Sequence, residues 1–315
     1  MIVVFGSINV DMTIPVAQLP SPGETVLGPG YQLVPGGKGA NQALAAARAG
    51  AKVLMVGRTG RDSMADVALS ELRRGGVDLS LTLPDDQPTG CAMICVDRTG
   101  RNMIVVASGA NLGTVESQIS DDLLRPGTIV ILQMEVWPSQ NWAMVQRAAA
   151  RGARVLLNAA PAGPIPGIAL AALDWLVVNE HEAVTVAAAL GLGALAPRQA
   201  ARAIARAADI TVIVTLGGEG AVAYSRDGDW TVGVLPIVPV DTTAAGDAFV
   251  GAFAAATDAG ADLPTALTEA SIAGGLACLQ RGAQSSLPDR AAIRSRLHDL
   301  APSQRLPDEA DKAAV

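Results

Sequence analysis

With 315 residues, half of them hydrophobic and only 3% aromatic, the chain is long enough to bury a large aliphatic core, and length alone suggests about two domains of ~150 residues. A formal net charge of −7 with no Lys/Arg-rich run excludes a general nucleic-acid surface, which needs basic groups to neutralise phosphates. Cys91, Cys95 and Cys278 are too few for a disulfide framework, and with neither histidine nearby the Cys91/Cys95 pair lacks the partners of a metal site.

The apolar run at 2–6 has no basic segment before it, so it reads as a first strand and not a signal peptide. Further short aliphatic runs at 53–57, 128–133, 154–158, 175–179 and 211–217 alternate with helical stretches at 40–49, 63–75, 139–151, 180–190 and 198–207. Strands buried on both faces appear as continuous apolar runs, and their alternation with helices predicts an α/β architecture with a mostly parallel sheet flanked by helices. Two segments break the rhythm. Residues 15–34 are rich in Pro and Gly without a helical pattern, and 89–108 carries two apolar runs around Asp97-Arg98-Thr99-Gly100-Arg101, a predicted hairpin. Together they are expected to form a small antiparallel sheet, a lid over the carboxyl ends of the parallel strands, where ligands bind in such folds. From about 301 the pattern turns polar and a loose tail is expected. No apolar stretch reaches the ~18 residues that a membrane helix needs, so a soluble, cytoplasmic protein with no membrane partner is expected.

The residues that carry chemistry follow the same order. Asn9 and Asp11, two apart on an extended chain, share one side and can bind adjacent sugar hydroxyls, although an Asn-x-Asp pair alone more often marks a loop. Gly36-Gly37-Lys38-Gly39-Ala40-Asn41 is not a Walker A loop, because the four-residue spacer is missing and Lys38 is followed by Gly. Its glycines suit close backbone approach to a ligand, with Lys38 and Asn41 as polar contacts. In Asp241-Thr242-Thr243-Ala244-Ala245-Gly246-Asp247, small residues precede a helix whose first turn carries an acid. The free N–H groups and the dipole of a helix N-terminus form an anion site, and Asp247 beside it can take a proton from an attacking hydroxyl. Taken alone, the stretch reads more readily as an ordinary cap with an acidic first turn.

These three stretches, in this order, resemble the ribokinase branch of the PfkB carbohydrate kinase family, over about residues 2–290. The resemblance implies a ribokinase-like fold: one kinase domain at 1–300, lid segments at about 11–35 and 89–108, and a tail at 301–315. It also implies ATP-dependent phosphorylation of D-ribose to ribose 5-phosphate, with Asp247 as base. Ala244, Ala245 and Gly246 would shape the anion hole, with the N–H groups of Ala245 and Gly246 facing the phosphoryl group. Asn9, Asp11, Gly37, Lys38, Asn41 and Glu135 would hold the sugar. Asn179, Thr215, Gly217, Gly220, Gly246 and Ser271 would hold ATP, and Glu182 of the Asn-x-x-Glu run would hold Mg²⁺ through water. Asp241, Thr243, Ala277, Gln280, Gly282 and Ser286 are implied as a K⁺ site, and pairing of lids as a homodimer. The sequence departs from the family pattern at Glu219, at Trp137 and Trp142, and at Arg61. Another pentose, a nucleoside or a ketohexose remains open as substrate, as does a non-catalytic sugar-binding protein on the same scaffold.

Overall fold

The computed structural model describes residues 1–307. Strand β1 (Ile2–Phe5) is fully buried and splits its side chains by parity. Ile2 and Val4 enter one core layer, Val3 and Phe5 the other, so the strand must be covered on both faces. The chain then makes β2 (Asn9–Pro15), β3 (Gln32–Gly36), α1 (Lys38–Arg48), β4 (Val53–Gly60), α2 (Ser63–Arg74) and β5 (Asp78–Asp85). Next come β6 (Gly90–Val96), β7 (Asn102–Ala107), β8 (Ile129–Leu132), α3 (Pro138–Ala150), β9 (Arg154–Asn158), α4 (Gly167–Leu170) and β10 (Trp175–Asn179). The rest follows as α5 (Glu180–Ala189), α6 (Pro197–Ala208), β11 (Thr211–Thr215), β12 (Ala221–Tyr224), β13 (Trp230–Val232), α7 (Ala245–Asp258), α8 (Leu263–Ala277), α9 (Arg290–Ser295) and β14 (Gln304–Arg305).

The main sheet runs β14-β13-β12-β11-β10-β9-β8-β1-β4-β5. From β5 to β11 every pairing is parallel, and β12, β13 and β14 add an antiparallel edge. Helices α1, α2, α7, α8 and α9 cover one face and α3, α4, α5 and α6 the other. Each fully buried aliphatic side chain in these layers contributes roughly 1.5–3 kcal/mol. In place of two domains of ~150 residues, one continuous sheet serves both layers.

The second sheet, β3-β2-β6-β7, is the lid. Its β6–β7 hairpin is antiparallel as expected, but β2 and β6 pair in parallel, against the expectation of an antiparallel sheet. The cause is topological: the chain crosses into the main sheet through β4 and β5 before returning as β6, and a crossover of that length permits parallel alignment. The expected tail also differs. Ser303 donates from its backbone N–H to Thr268 Oγ1 (3.3 Å) and from Oγ to the Pro264 carbonyl (2.9 Å), and β14 pairs with β13. The remainder of the expected tail, from 308, lies outside the described residues.

Candidate active site

The site begins where α1 is pressed onto the chain after β1. Gly37, the N-cap, has φ 89°, and a Cβ there would lie 2.7 Å from the Asn9 nitrogen; one on Gly39 would lie 2.6 Å from the Ser7 nitrogen. Only glycine allows this approach. Ser7 Oγ donates to Glu135 Oε2 (2.5 Å) and accepts from the Gly39 N–H (3.2 Å), while the Lys38 N–H donates to the same Glu135 oxygen (3.1 Å). Glu135, just beyond β8, is thereby tied to the start of α1.

Asn9 is buried, and its Oδ1 accepts from Asn111 Nδ2 (2.7 Å). Asn111 Oδ1 in turn accepts from the Ile8 N–H (2.8 Å), which orients both amides and leaves Asn9 presenting N–H donors to a ligand. Two places along β2, Asp11 lies on the lid face turned towards the site. Burial pushes its carboxyl up to about 6, helped by the neighbouring charges of Glu135 and Asp247 and opposed by Lys38. The Lys38 ammonium is held above its usual range, chiefly by Asp247.

Asp247 is buried in the first turn of α7. Its Oδ2 accepts from Asn41 Nδ2 (2.9 Å) and its Oδ1 from Gln42 Nε2 (2.8 Å), both on α1. A crossing of small residues brings the helices together: a Cβ on Gly251, one turn after Asp247, would lie 2.5 Å from Ala45 Cβ. Asn41 Oδ1 is buried with no hydrogen-bond partner among the described residues. Ala244, the N-cap, has φ 59°, a left-handed conformation costly for a residue with a Cβ. Against the expected pair of Ala245 and Gly246, the Ala245 N–H donates to the Thr242 carbonyl (3.2 Å), so among the described residues the N–H groups left open at this turn are those of Gly246 and Asp247.

Beyond that turn lies a cavity of about 430 Å³. Thr215, Gly217, Gly220, Gly246 and Ser271 line it, with apolar walls from Leu235, Ile237 and Phe249. A Cβ on Gly246 or Gly217 would meet nothing within 4 Å, so both glycines face open space. Asn179 is not in the lining. It caps α5, its Oδ1 accepting from the Glu182 N–H (2.8 Å) while Glu182 Oε2 accepts from the Asn179 N–H (2.8 Å). Burial holds the Glu182 carboxyl above its usual range, against the Asn179 hydrogen bond and Lys38.

Before α7, Asp241 Oδ1 accepts from the Thr243 N–H (2.9 Å) and Oγ1 (2.6 Å), and its Oδ2 accepts from the Gly282 N–H (3.0 Å). Burial opposes ionisation of Asp241, but these donors prevail and hold it below the usual carboxylate range. The Val240 N–H donates to the Cys278 carbonyl (2.8 Å), which joins the loop before α7 to the one after α8. Ala277 ends α8, Gln280 lies on an exposed turn, and Ser286 Oγ donates to the Ala283 carbonyl (2.9 Å).

Gln42, Ser7 and Asn111 are functional candidates that sequence reasoning missed. Gln42 directly follows the Lys38/Asn41 pair, and its helical position towards α7 was the available signal. The departures from the pattern lie apart: Trp142 packs in the second core layer and Trp137 is exposed. Glu219 pairs with Arg198 (3.1 Å) and Arg61 with Asp86 (3.6 Å), both at the surface.

A buried carboxylate at a helix N-terminus, set between a polar pocket under a lid and a glycine-lined cavity, is an arrangement for phosphoryl transfer to a hydroxyl. Residues 1–290 match the pfkB family carbohydrate kinases. The ribokinase of Schizosaccharomyces pombe is 35% identical over 305 residues, covering 91% of this chain and 94% of that protein. A deoxyribokinase of Salmonella typhi is 33% identical over 294 residues, covering 91% and 95%. The structure of Arabidopsis thaliana ribokinase complexed with ribose and ATP superposes with a TM-score of 0.86 at 32% identity, covering 94% of this chain and 98% of that one. This chain belongs to the PfkB family of carbohydrate kinases. Within the family its similarity runs to ribokinases, with the same α/β sheet and small lid sheet.

Proposed function

We propose that the protein transfers the γ-phosphoryl group of ATP to the 5-hydroxyl of D-ribose, with Asp247 as general base. The observation that carries this reading is the aim of Asp247: both carboxylate oxygens are held by amide donors at 2.8 and 2.9 Å, on a helix turn whose Gly246 lines a nucleotide-sized cavity. Asn9, Asp11, Gly37, Lys38, Asn41 and Glu135 hold the sugar, and the unpartnered Asn41 Oδ1 accepts one of its hydroxyls. As the hydroxyl oxygen bonds to the γ-phosphorus, its proton passes to Asp247 and the bond to the β,γ-bridging oxygen breaks, releasing ADP. The N–H groups of Gly246 and Asp247 stabilise the charge on the phosphoryl oxygens, on a turn shaped by Ala244 and Ala245. The lid excludes water.

The donor set suits hard cations. One Glu182 oxygen is engaged by Asn179, and the buried carboxylate can hold Mg²⁺ through water together with ATP phosphates, for which Asn179 is a further contact. Among the described residues no three His, Cys, Asp or Glu side chains converge on a metal. Asp241, Thr243, Ala277, Gln280, Gly282 and Ser286 are the oxygen donors proposed for K⁺, and the Asp241–Gly282 bond supports that site by fixing the two loops together. Bound there, such cations would supply positive charge that offsets the phosphates.

The test is release of ADP by wild type and Asp247→Asn over ribose, 2-deoxyribose, fructose and adenosine. Ribose is expected to give the highest kcat/KM, and Asp247→Asn to lose about 10²–10⁴-fold in kcat while staying folded. Turnover of Asp247→Asn at the wild-type rate would remove the base assignment. The deoxyribokinase relative favours one second reading, 2-deoxyribose as the preferred sugar, and a higher kcat/KM for it would establish that.

A further inference from the structure

Beneath Asp247 lies a chain of buried amides that the reaction as written does not use. Gln42 is fully buried and is engaged in three directions. Its Nε2 donates to Asp247 Oδ1 (2.8 Å) and to Asn158 Oδ1 (2.9 Å), and its Oε1 accepts from Gln133 Nε2 (2.8 Å). The orientation of each amide follows from a group that can only accept. Asn158 Nδ2 donates to the Val177 carbonyl of β10 (3.1 Å), which turns Asn158 Oδ1 towards Gln42. Gln42 must then face Asn158 with its nitrogen, and the second hydrogen of that nitrogen falls on Asp247. Turning the Gln42 amide over would set its oxygen against a carboxylate and another amide oxygen, and its nitrogen against that of Gln133.

We propose that Gln42 is a positioning residue for phosphoryl transfer, one that fixes the rotation of the Asp247 carboxylate from the main sheet, with Gln133 and Asn158 as its supports. The inference rests on the reading of Asp247 as base. Asn41 holds the other oxygen, but its own Oδ1 has no partner among the described residues, so it is free to re-form its contacts around a sugar. Gln42 has no such freedom. Its supports come from the ends of β8 and β9, strands inside the parallel sheet, and a carboxylate referred to that frame keeps its aim while the lid opens and closes. The remaining lone pairs of Asp247 then point at one place, where the sugar hydroxyl must arrive. A misaligned base loses rate steeply even when binding is intact. Gln42 contacts neither ligand in the proposed reaction, so its removal acts on kcat and not on KM.

The experiment compares Gln42→Leu, Gln133→Met, their double variant and Asp247→Asn with wild type, by steady-state kinetics in ribose and in ATP at a temperature where melting curves show each folded. Gln42→Leu is expected to lower kcat about 10- to 100-fold with both KM values within about twofold. Gln133→Met, which leaves Gln42 in place but removes the donor that holds its Oε1 (2.8 Å), loosens the Gln42 side chain and is expected to lower kcat about 3- to 10-fold. The double variant should match Gln42→Leu alone, because residues acting through one contact are not additive. Asp247→Asn separates the two layers of the argument: if it retains turnover, the base reading falls and this inference falls with it. If Asp247→Asn is inactive while Gln42→Leu keeps kcat within twofold, or loses kcat and both KM values together, positioning by Gln42 is overturned and the base reading stands. Should Gln42→Leu not fold, Gln133→Met alone decides, and an unchanged kcat there overturns the proposal.

Discussion

Among the acidic groups of the proposed sugar pocket, Asp11 has its carboxyl pushed up to about 6, first by burial, then by Glu135 and Asp247, with Lys38 pulling the other way. Against an unfolded value near 3.8, the folded chain binds more protons than the unfolded one between pH ~4 and ~6. Stability from this group therefore falls as pH rises through that window, and the penalty is complete above about 6. Two pH units correspond to about 2–3 kcal/mol. Asp11→Asn is thus expected to be more stable than wild type at pH 7.5 by up to that amount, with the difference fading towards pH 4. Its KM for ribose should rise, and the wild-type KM should rise as pH falls through 6, because in the proposed reaction it is the ionised carboxylate that accepts the sugar hydroxyls. Melting temperatures of both proteins at pH 4.5 and 7.5, with KM over the same range, check the claim; a variant less stable than wild type at pH 7.5 would refute it. The site holds a charge that the fold alone would discard.

At the level of elements, the crossing of α1 and α7 decides whether Asp247 and its amide partners meet. A Cβ on Gly251 would lie 2.5 Å from Ala45 Cβ, 2.7 Å from the Ala46 nitrogen and 2.8 Å from the Gln42 carbonyl oxygen. Two of those three atoms are backbone, so the helices must separate to admit it. Gly251→Ala is expected to cost about 1–3 kcal/mol in urea denaturation, as overpacking does. It should also lower kcat at least tenfold, because the added methyl wedges apart the segment carrying Asn41 and Gln42. Loss of stability with unchanged kcat would show that the crossing does not set the site. How far such features are legible in the sequence follows from their range. The strands over Arg154–Asn158 and Trp175–Asn179 are bounded as expected, because continuous apolar runs ending in Asn carry their own signal. The parallel β2–β6 pairing was not legible, since it joins segments separated by the whole β4–β5 crossover. Asp247, Asn41 and Lys38 were legible through their runs of sequence. Gln42, Ser7 and Asn111 were not, because each acts on a side chain 102 or more residues away whose approach only packing reveals. The edge strand Gln304–Arg305 escaped for the opposite reason: two polar residues pair through backbone alone.

On the scale of the molecule, the main sheet is sealed on both faces, whereas the lid is not. Strand β7 is its outer edge and is exposed along its whole length, although it carries Met103, Ile104, Val105 and Val106. Ile104 is 51% exposed and faces the pocket beneath the lid; Val105 is 61% exposed and points to the opposite side, next to Met93. Unpaired backbone groups beside apolar side chains invite another strand, and proteins that keep such an edge usually cover it. A second copy of the chain is the occupant that supplies a matching apolar edge by symmetry, since a two-fold axis brings each surface against itself. We therefore expect a homodimer joined through the lids, with sedimentation velocity giving twice the chain mass of 32.0 kDa. The double variant Ile104→Asp/Val105→Asp places a carboxylate on each side of β7 and should sediment as a monomer, because burying two unpaired charges across the interface costs more than its apolar contacts return. The main sheet lies outside the change, so the far-UV circular dichroism of the variant should match wild type. A wild type that sediments at 32.0 kDa across micromolar concentrations, or a variant that stays at twice that mass, would exclude pairing through this edge.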